Sequence, residues 1–408
     1  MNRRSDWPDA TAVHNALAPT STLLAERRAL YRMAHELLSR EAPDLSDEQV
    51  DNPLFRYRIG EALAGRIPFG ASPHDDLAGI TTKLTAGLNL VSGADANDRL
   101  APAMRVIHAQ SGAPGSPPRL LTEADEDFPE ARAIAAAGLR KAHDVSRRLV
   151  GDLLPHTSLL AILDPVTSGG LVSASSRLFP GLVLIDRPSC PYDVAEALVH
   201  ECAHQKFFDL AITRDFLGAD LSNDRIFHPS WSCARWPVEQ VIAAFHAYAC
   251  LAQFGEDVAA RGETAELGPA SLLMSARERE TEIGTWLLGA EDALRAEARW
   301  FLRSFLRAHP DSAGPGEIVP LDGRYELAPS LLRVARMAAS GRALLAHAGE
   351  QQDAPPRLVW LEREAADIVD LLKIAPQRFE ALGADRARAL ARLVESSLVR
   401  RVSETRPR

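Results

Sequence analysis

The chain has 408 residues, 25% of them charged, and a formal net charge of −9 at pH 7. This length suits one to three domains, and the acidic balance argues against general binding to nucleic acid or anionic membranes. No apolar run reaches the roughly 20 residues of a membrane-spanning helix. The basic N-terminus lacks an apolar segment after it, so no secretory signal is predicted. The four cysteines lack C-x-x-C pairing, which indicates buried, reduced thiols in a cytoplasmic protein.

The first part of the chain is predicted to be helical. Residues 1–20 are interpreted as a flexible arm and residues 21–154 as an N-terminal helical region. Leucines and alanines at helical spacing, with arginines between them, predict an amphipathic helix over 21–40. Further helices are expected at about 53–66, 75–91, 101–110 and 129–154.

Convincing strand patterns begin after Pro155. Three short β-rich runs, separated by proline and glycine, occupy 158–163, 170–176 and 181–186. Residues 155–255 are interpreted as a core with these short strands, and residues 256–408 as a C-terminal helical region. Beyond the core, helices are expected at about 271–308, 329–347, 358–374 and 376–402. The predicted fold class is therefore α+β, predominantly α-helical.

One motif directly follows the three strands. The segment ALVHECAHQKFFDL contains His200, Glu201 and His204 in the spacing H-E-x-x-H. On a helix, residues four apart share a face, so two imidazoles in this spacing can bind one metal ion. The helix is apolar on most sides and should be buried, where its polar side chains need partners. A small sheet before such a helix predicts a zincin-like core, although Lys206 stands where zinc peptidases usually have an apolar residue.

Two histidines hold a metal poorly, so a third protein ligand is expected. Glu239 and His246 both lie on the next predicted helix, at about 238–254. They are seven residues, or about 10 Å, apart along its axis and cannot bind the same ion. His246 is favoured because small residues surround it, whereas Glu239 lies in the first helical turn, where a carboxylate suits the helix dipole. His228, in the preceding loop, is a weaker candidate.

Other catalytic patterns are poorly supported. The run His74-Asp75-Asp76 has the H-x-D form of many iron oxygenases, but those use a many-stranded scaffold, and a helix cap is the better interpretation. The sequence contains no G-x-S-x-G elbow, no P-loop and no strand-associated G-x-G-x-x-G.

Three segments together resemble a known family. LVHECAHQK is followed by HPSWSCARWP and then by AAFHAYACLAQF. This series resembles the HExxH-containing peptide-modification proteins of biosynthetic clusters for ribosomally made, post-translationally modified peptides. The elements that match are Ser230-Trp231, Arg235-Trp236-Pro237 and His246-Ala247-Tyr248. The similarity covers about residues 182–254, and Trp236 separates the arginine from the proline that it adjoins in the family.

The resemblance implies an oxygenase that depends on iron(II) and 2-oxoglutarate. Its partners would be 2-oxoglutarate, dioxygen and a precursor peptide that is hydroxylated at a side-chain β-carbon. His200, His204 and His246 would be the metal ligands, and Glu201 a catalytic residue outside the metal's first shell, as a base or hydrogen-bond acceptor. Three imidazoles depart from the usual set of two histidines and one carboxylate.

Such an enzyme needs a cation for the distal carboxylate of 2-oxoglutarate, because a buried anion without a partner is costly. A guanidinium matches a carboxylate with two parallel donors. Arg235, between Trp231 and Trp236, is the predicted anchor, together with Tyr248 as a second co-substrate contact. Arg225 and Arg214 are the alternatives.

The rival function is a zinc metallopeptidase. In that case Glu201 is the general base that activates a zinc-bound water, and His246 or Glu239 completes the zinc(II) site. A non-catalytic protein on a disabled metal scaffold is disfavoured, because all three motif residues are present.

Overall fold

The structure is a computed structural model. It describes residues 9–39, 44–70, 77, 79–85, 87–111, 115–214, 216–217, 225–268, 271–306, 323–328, 331–337, 341–347, 357–379, 384–395 and 398–402. Two compact units are present: residues 1–62 with 67–309, and residues 63–66 with 310–408. The predicted class, α+β and mostly helical, is confirmed. None of the described helices is both long enough and apolar enough to cross a membrane.

The first unit contains a five-stranded mixed sheet in the order β1-β2-β3-β5-β4. Its strands are β1 (Thr81–Thr85), β2 (Leu88–Val91), β3 (Leu159–Leu163), β4 (Ser173–Ser175) and β5 (Leu182–Asp186). β2, β3 and β5 are parallel, and the edge strands β1 and β4 are antiparallel to their neighbours. The three predicted strands are confirmed as β3, β4 and β5.

The hairpin of β1 and β2 replaces a predicted helix. The prediction of a helix over 75–91 is wrong, because the described residues from Thr81 onwards pair as strands. β-branched threonines favour strand, and Gly87 adopts a φ of 89° in the turn, a conformation that glycine reaches without steric cost.

Helices cover both faces of this sheet. Leu159, Ala161 and Leu163 of β3 pack into a core with α5 (Ala96–Ser111), while Leu160 and Ile162 face a second core. The second core contains the helices α6 (Phe128–Val145) and α8 (Pro191–Thr213). Because successive side chains of a strand point to opposite faces, the buried strand β3 separates the two cores.

This unit also contains further helices. They are α1 (Ala10–Leu17), α2 (Thr20–Leu38), α3 (Asp47–Val50), α4 (Pro53–Leu63), α7 (Arg147–Leu153), α9 (Val238–Ala260), α10 (Ala276–Leu288) and α11 (Ala296–Leu306). A short ribbon pairs β6 (Ile226–Phe227) with β7 (Trp236–Pro237). Two long predicted helices are each divided in two: 129–154 at Ser146, and 271–308 between α10 and α11.

The predicted flexible arm is wrong for the residues that the structure describes. Residues 10–17 form α1, and Val13 and His14 are buried. The side chain of Asp9 caps this helix by accepting a hydrogen bond from the backbone N–H of Ala12 at 2.8 Å. Residues 1–8 of the arm lie outside the described residues.

The helix α8, which carries the motif, is held close to α6. A Cβ atom on Gly138 of α6 would lie 2.4 Å from Cβ of Val194 and 2.6 Å from the carbonyl oxygen of Pro191. The helix begins with Pro191, and the carboxylate of Asp193 accepts the backbone N–H groups of Ser189 and Cys190. The predicted motif helix is therefore confirmed.

The second unit is richer in strands than predicted. Its strands are β8 (Gly323–Leu327), β9 (Leu331–Arg336), β10 (Ala343–His347), β11 (Arg357–Leu361), β12 (Gln377–Phe379) and β13 (Val399–Arg401). They form two three-stranded antiparallel sheets, β11-β10-β9 and β12-β8-β13. The helices are α12 (Arg363–Ile374) and α13 (Ala384–Glu395). The predicted helix over 329–347 is wrong: strand pairing overrides the helix propensity of this leucine- and alanine-rich segment.

Candidate functional site

The two motif histidines lie side by side on α8. Their Nε2 atoms are 3.3 Å apart, and both side chains are half-buried. This separation is about the edge of a tetrahedron around a metal with ligands at 2.0–2.1 Å. Burial lowers the pKa of His200 and of His204 to about 4, assisted by the charges of Arg279 and of His200 respectively. Both imidazoles are therefore neutral at pH 7, which is the form that binds metal.

Glu201 is held by the edge of the sheet. Its carboxylate is buried, and its two oxygens accept hydrogen bonds from the hydroxyls of Ser173 and Ser175, each at 2.6 Å. Both serines belong to β4, the antiparallel edge strand. Bonds of this kind fix the orientation of a carboxylate, so β4 sets where the motif glutamate points.

A cation and two aromatic rings lie next to the histidine pair. The ring of Tyr248 on α9 lies 5.5 Å from that of His200, and its hydroxyl accepts a hydrogen bond from Nη1 of Arg279 at 2.9 Å. The guanidinium of Arg279 lies 5.0 Å from the ring centre of Trp231 and 5.5 Å from that of Tyr248. We call His200, His204, Tyr248 and Arg279 the open site.

Arg279 was missed by the sequence analysis. It lies on α10, in the run ARERETE, where alternating charges are typical of a solvated helix face. In the structure it is half-buried. Nothing local in the sequence relates it to the motif, which is 75 or more residues earlier.

The predicted anchor Arg235 is exposed, just before α9 begins. Its role in binding a co-substrate stays a prediction. Of the two alternatives, Arg225 pairs with Asp292 and is half-buried, while Arg214 is buried and pairs with Glu26 at 2.7 Å. Each of these two arginines is thus bound to a carboxylate of the protein.

The alternative metal ligands are at the surface. Glu239 is exposed and forms an ion pair with Arg177 at 3.3 Å, and His228 is exposed. The H-x-D run at His74 lies outside the described residues.

His246 lies in a second cluster. It is fully buried, and its Nε2 is 2.7 Å from Nε2 of His14 and 3.5 Å from Sγ of Cys250. One ligand atom from each of these three residues lies within 4.8 Å of the others. In the part of the chain that the structure describes, no such group combines His246 with His200 and His204. The assignment of His246 as the third ligand of the motif metal stays a prediction.

Buried charges surround this second cluster. Asp152 on α7 accepts from Nδ1 of His14 at 2.6 Å and from Nζ of Lys206 at 2.7 Å. Lys206 also donates to the hydroxyl of Thr20 at 2.8 Å. Burial lowers the pKa of Lys206 while Asp152 opposes this. This pairing explains a lysine two residues after the motif: its ammonium neutralises Asp152. We call His14, Asp152, Lys206, His246 and Cys250 the closed cluster.

A further histidine, His156, contacts the motif helix α8. Nδ1 of His156 lies 2.6 Å from a carboxylate oxygen of Asp209 on α8. Asp209 also pairs with Arg27 of α2, which binds Asp51 at 2.6 Å. Burial lowers the pKa of His156 to about 4, although Asp209 opposes the shift. The polar residues of α8 are thus matched to partners on several sides of the helix.

No protein-family profile matches this chain, and comparison with curated proteins finds no significant match.

Proposed function

We propose that the protein is a metal-dependent oxygenase that hydroxylates a side chain of a ribosomally made precursor peptide. His200 and His204 hold the metal, iron(II), in a zincin-like core formed by the five-stranded sheet and α8. The observation that carries the proposal is a pair of neutral imidazoles 3.3 Å apart next to a cation. Iron(II) with 2-oxoglutarate supplies the activation of dioxygen that hydroxylation of a C–H bond requires.

Arg279 is the best-placed partner for the distal carboxylate of 2-oxoglutarate. One of its donors binds the hydroxyl of Tyr248, and a guanidinium has five N–H groups in all. Its position over two aromatic rings limits its exposure to water, which strengthens its attraction for an anion. Arg235, by contrast, is exposed to solvent.

Glu201 acts through the fixed orientation of its carboxylate. Because both of its oxygens accept serine hydroxyls, it is suited to orient groups at the metal and to accept a hydrogen bond from the substrate or from water. Trp231 and Tyr248 form an apolar wall that excludes water from the open site.

The zinc metallopeptidase is the second candidate, and the motif together with the antiparallel edge strand β4 favours it. A peptidase requires the motif glutamate to take a proton from a metal-bound water. The bonds from Ser173 and Ser175 compete with that role, and buried Lys206 departs from the apolar pattern of such peptidases.

The test is a titration of 2-oxoglutarate into iron(II)-loaded protein without oxygen, monitored by the absorption of the iron–oxoacid complex. We expect saturable binding, weakened tenfold or more by Arg279→Lys, or about 1.4 kcal/mol. Arg235→Lys is the matched control and should bind like the wild type.

Two outcomes overturn the proposal. If the iron-loaded protein binds no 2-oxoglutarate, the oxygenase function is excluded. If the zinc-loaded protein cleaves peptides, the peptidase function is established. If Arg235→Lys weakens the binding of 2-oxoglutarate and Arg279→Lys does not, Arg235 is the residue that binds the distal carboxylate.

A further inference from the structure

We propose that His14, His246 and Cys250 form a second metal site, which takes zinc(II) and fastens α1 to α9. It is separate from the metal of the open site. Its three ligand atoms converge within 4.8 Å, and both histidines and the cysteine are buried. Two imidazoles and a thiolate form a donor set that zinc accepts and that calcium or magnesium does not.

Asp152 fixes which nitrogen of His14 can bind a metal. Because Nδ1–H of His14 donates to Asp152 at 2.6 Å, the neutral ring has its lone pair on Nε2. That atom points at Nε2 of His246, 2.7 Å away. A carboxylate that binds the far nitrogen of a ligating histidine is a recurrent feature of zinc sites.

Cys250 completes the set from the next turn of α9. It lies four residues after His246, and its Sγ is 3.5 Å from Nε2 of that residue. A thiol that binds no metal, with an ordinary pKa of about 8.5, carries its proton at pH 7. A zinc ion displaces that proton to solvent when it binds sulfur. Binding therefore releases one proton per ion.

The surroundings suit a dication. The thiolate and Asp152 carry two negative charges. Lys206 binds the carboxylate oxygen of Asp152 that His14 does not use and offsets one of them, so one negative charge remains to attract the ion. The rings of Phe301 and Phe305 lie 5.4 and 5.9 Å from that of His246 and exclude water. The two Nε2 atoms must separate by about half an ångström to reach ligand spacing around zinc. In the ion-free protein Nε2–H of His246 donates to Nε2 of His14. When an ion binds, this proton moves to Nδ1 of the same ring, so the thiol proton is the only one released to solvent.

Such an ion would stabilise the packing of α1 against α9. α1 has eight residues, too few for a helix to persist alone in water. Its buried contacts include Ala10, Val13 and His14. A bond from His14 to an ion on α9 therefore couples metal binding to the docking of α1, and we expect chelation to expose α1 to subtilisin.

The test removes the open site first. In a His200→Ala/His204→Ala variant, we expect titration with cobalt(II) to give one bound ion per chain, a sulfur-to-cobalt charge-transfer band and the release of one proton. Adding Cys250→Ala should abolish the band and weaken binding at least a hundredfold. Cys202→Ala is the matched control, since Cys202 is also a buried, unpaired cysteine, and the band should persist in it.

Each alternative has its own result. If the variant without the motif histidines binds no cobalt, or keeps the sulfur band after Cys250→Ala, the second site does not exist and His14 and His246 are only a hydrogen-bonded pair. The wild-type protein gives a second measurement that needs no substitution. Two ions per chain support the site, whereas one ion that His246→Ala removes would assign His246 to the motif metal. Because the cobalt experiment lacks the motif histidines, its failure leaves the oxygenase proposal untouched.

Discussion

The open site and the closed cluster both include residues of α8, but they differ in burial and in how far apart their histidines lie in the sequence. His200 and His204 come from adjacent turns of α8 and are half-buried. His14 and His246, by contrast, are separated by 232 residues and are fully buried. The first arrangement leaves room for exchange of ligands, and the second holds two helices together. Short spacing in a sequence therefore reveals a pair of residues within one helix, and it misses a cluster that four helices assemble.

Charge separates the two regions as well. The cation of the open site, Arg279, donates a hydrogen bond to a neutral group, the hydroxyl of Tyr248. The cation of the closed cluster, Lys206, is bound to Asp152. A cation that is hydrogen-bonded to a neutral hydroxyl can still attract an anion from solution, whereas one that is bound to a buried carboxylate stabilises the fold.

The largest expected effect comes from breaking the closed cluster with Asp152→Ala. This substitution leaves the ammonium of Lys206 and Nδ1–H of His14 buried without their acceptor. Removal of one partner of a buried ion pair costs about 3–5 kcal/mol. Urea denaturation at neutral pH measures the loss in the free energy of unfolding.

The matched control is Asp144→Ala, at an exposed carboxylate near the end of α6, which should change the free energy of unfolding by less than about 0.5 kcal/mol. The double variant Asp152→Leu/Lys206→Met should lose less than the sum of its single changes, because no charge remains unpaired. A loss below about 1 kcal/mol for Asp152→Ala would show that the buried charges do not stabilise this side of α8.

The second expected effect is a pH dependence from His156. Its pKa is about 4 in the folded protein, mainly because of burial, and about 6.5 when unfolded. Between these values the unfolded chain binds more protons, so this residue's contribution is complete above pH 6.5 and is lost as the pH falls towards 4. The loss amounts to about 3 kcal/mol at the lower end.

We therefore expect His156→Gln to flatten the plot of unfolding free energy against pH over this window. His228→Gln, at an exposed histidine, should leave the slope unchanged. An unaltered slope in His156→Gln would mean that the pKa of His156 is the same in the folded and the unfolded protein.

The smallest expected effect sharpens the assignment of ligands in the open site. Glu239→Ala removes an ion pair with Arg177 whose side chains are 45% and 64% exposed, and such pairs contribute about 0–1 kcal/mol. Bound metal should be unchanged, as measured by elemental analysis after desalting. Loss of metal in this variant would identify Glu239 as the third ligand and would support the peptidase function.

The sequence was most informative where the signal is local. The spacing of His200 and His204 predicted a shared helical face, and the strand runs before them predicted three of the five strands of the sheet. Propensity failed where pairing decides the structure: Leu344 and Leu345 favour helix, yet they pair in the middle strand of a sheet.

The closed cluster could not be predicted in the same way. His14 lies in a short segment whose apolar residues are mostly alanines, and the sequence indicated this segment as a loose arm. Its partners Asp152 and His246 come from helices α7 and α9, and no spacing rule connects them. Lys206 was the one available signal, since a lysine in a buried helix requires a carboxylate, but the sequence does not say which one.

The close approach of α6 to α8 has an evolutionary consequence. A side chain at Gly138 would collide with Val194 and with the backbone of α8, whereas one at Gly60 or Gly151 would meet nothing within 4 Å. Among descendants of this chain, Gly60 and Gly151 should therefore drift freely while position 138 stays glycine. Position 138 bears no functional group, yet it would then evolve as slowly as the metal ligands. The reason is that it determines how closely α6 packs against α8, the helix that carries them.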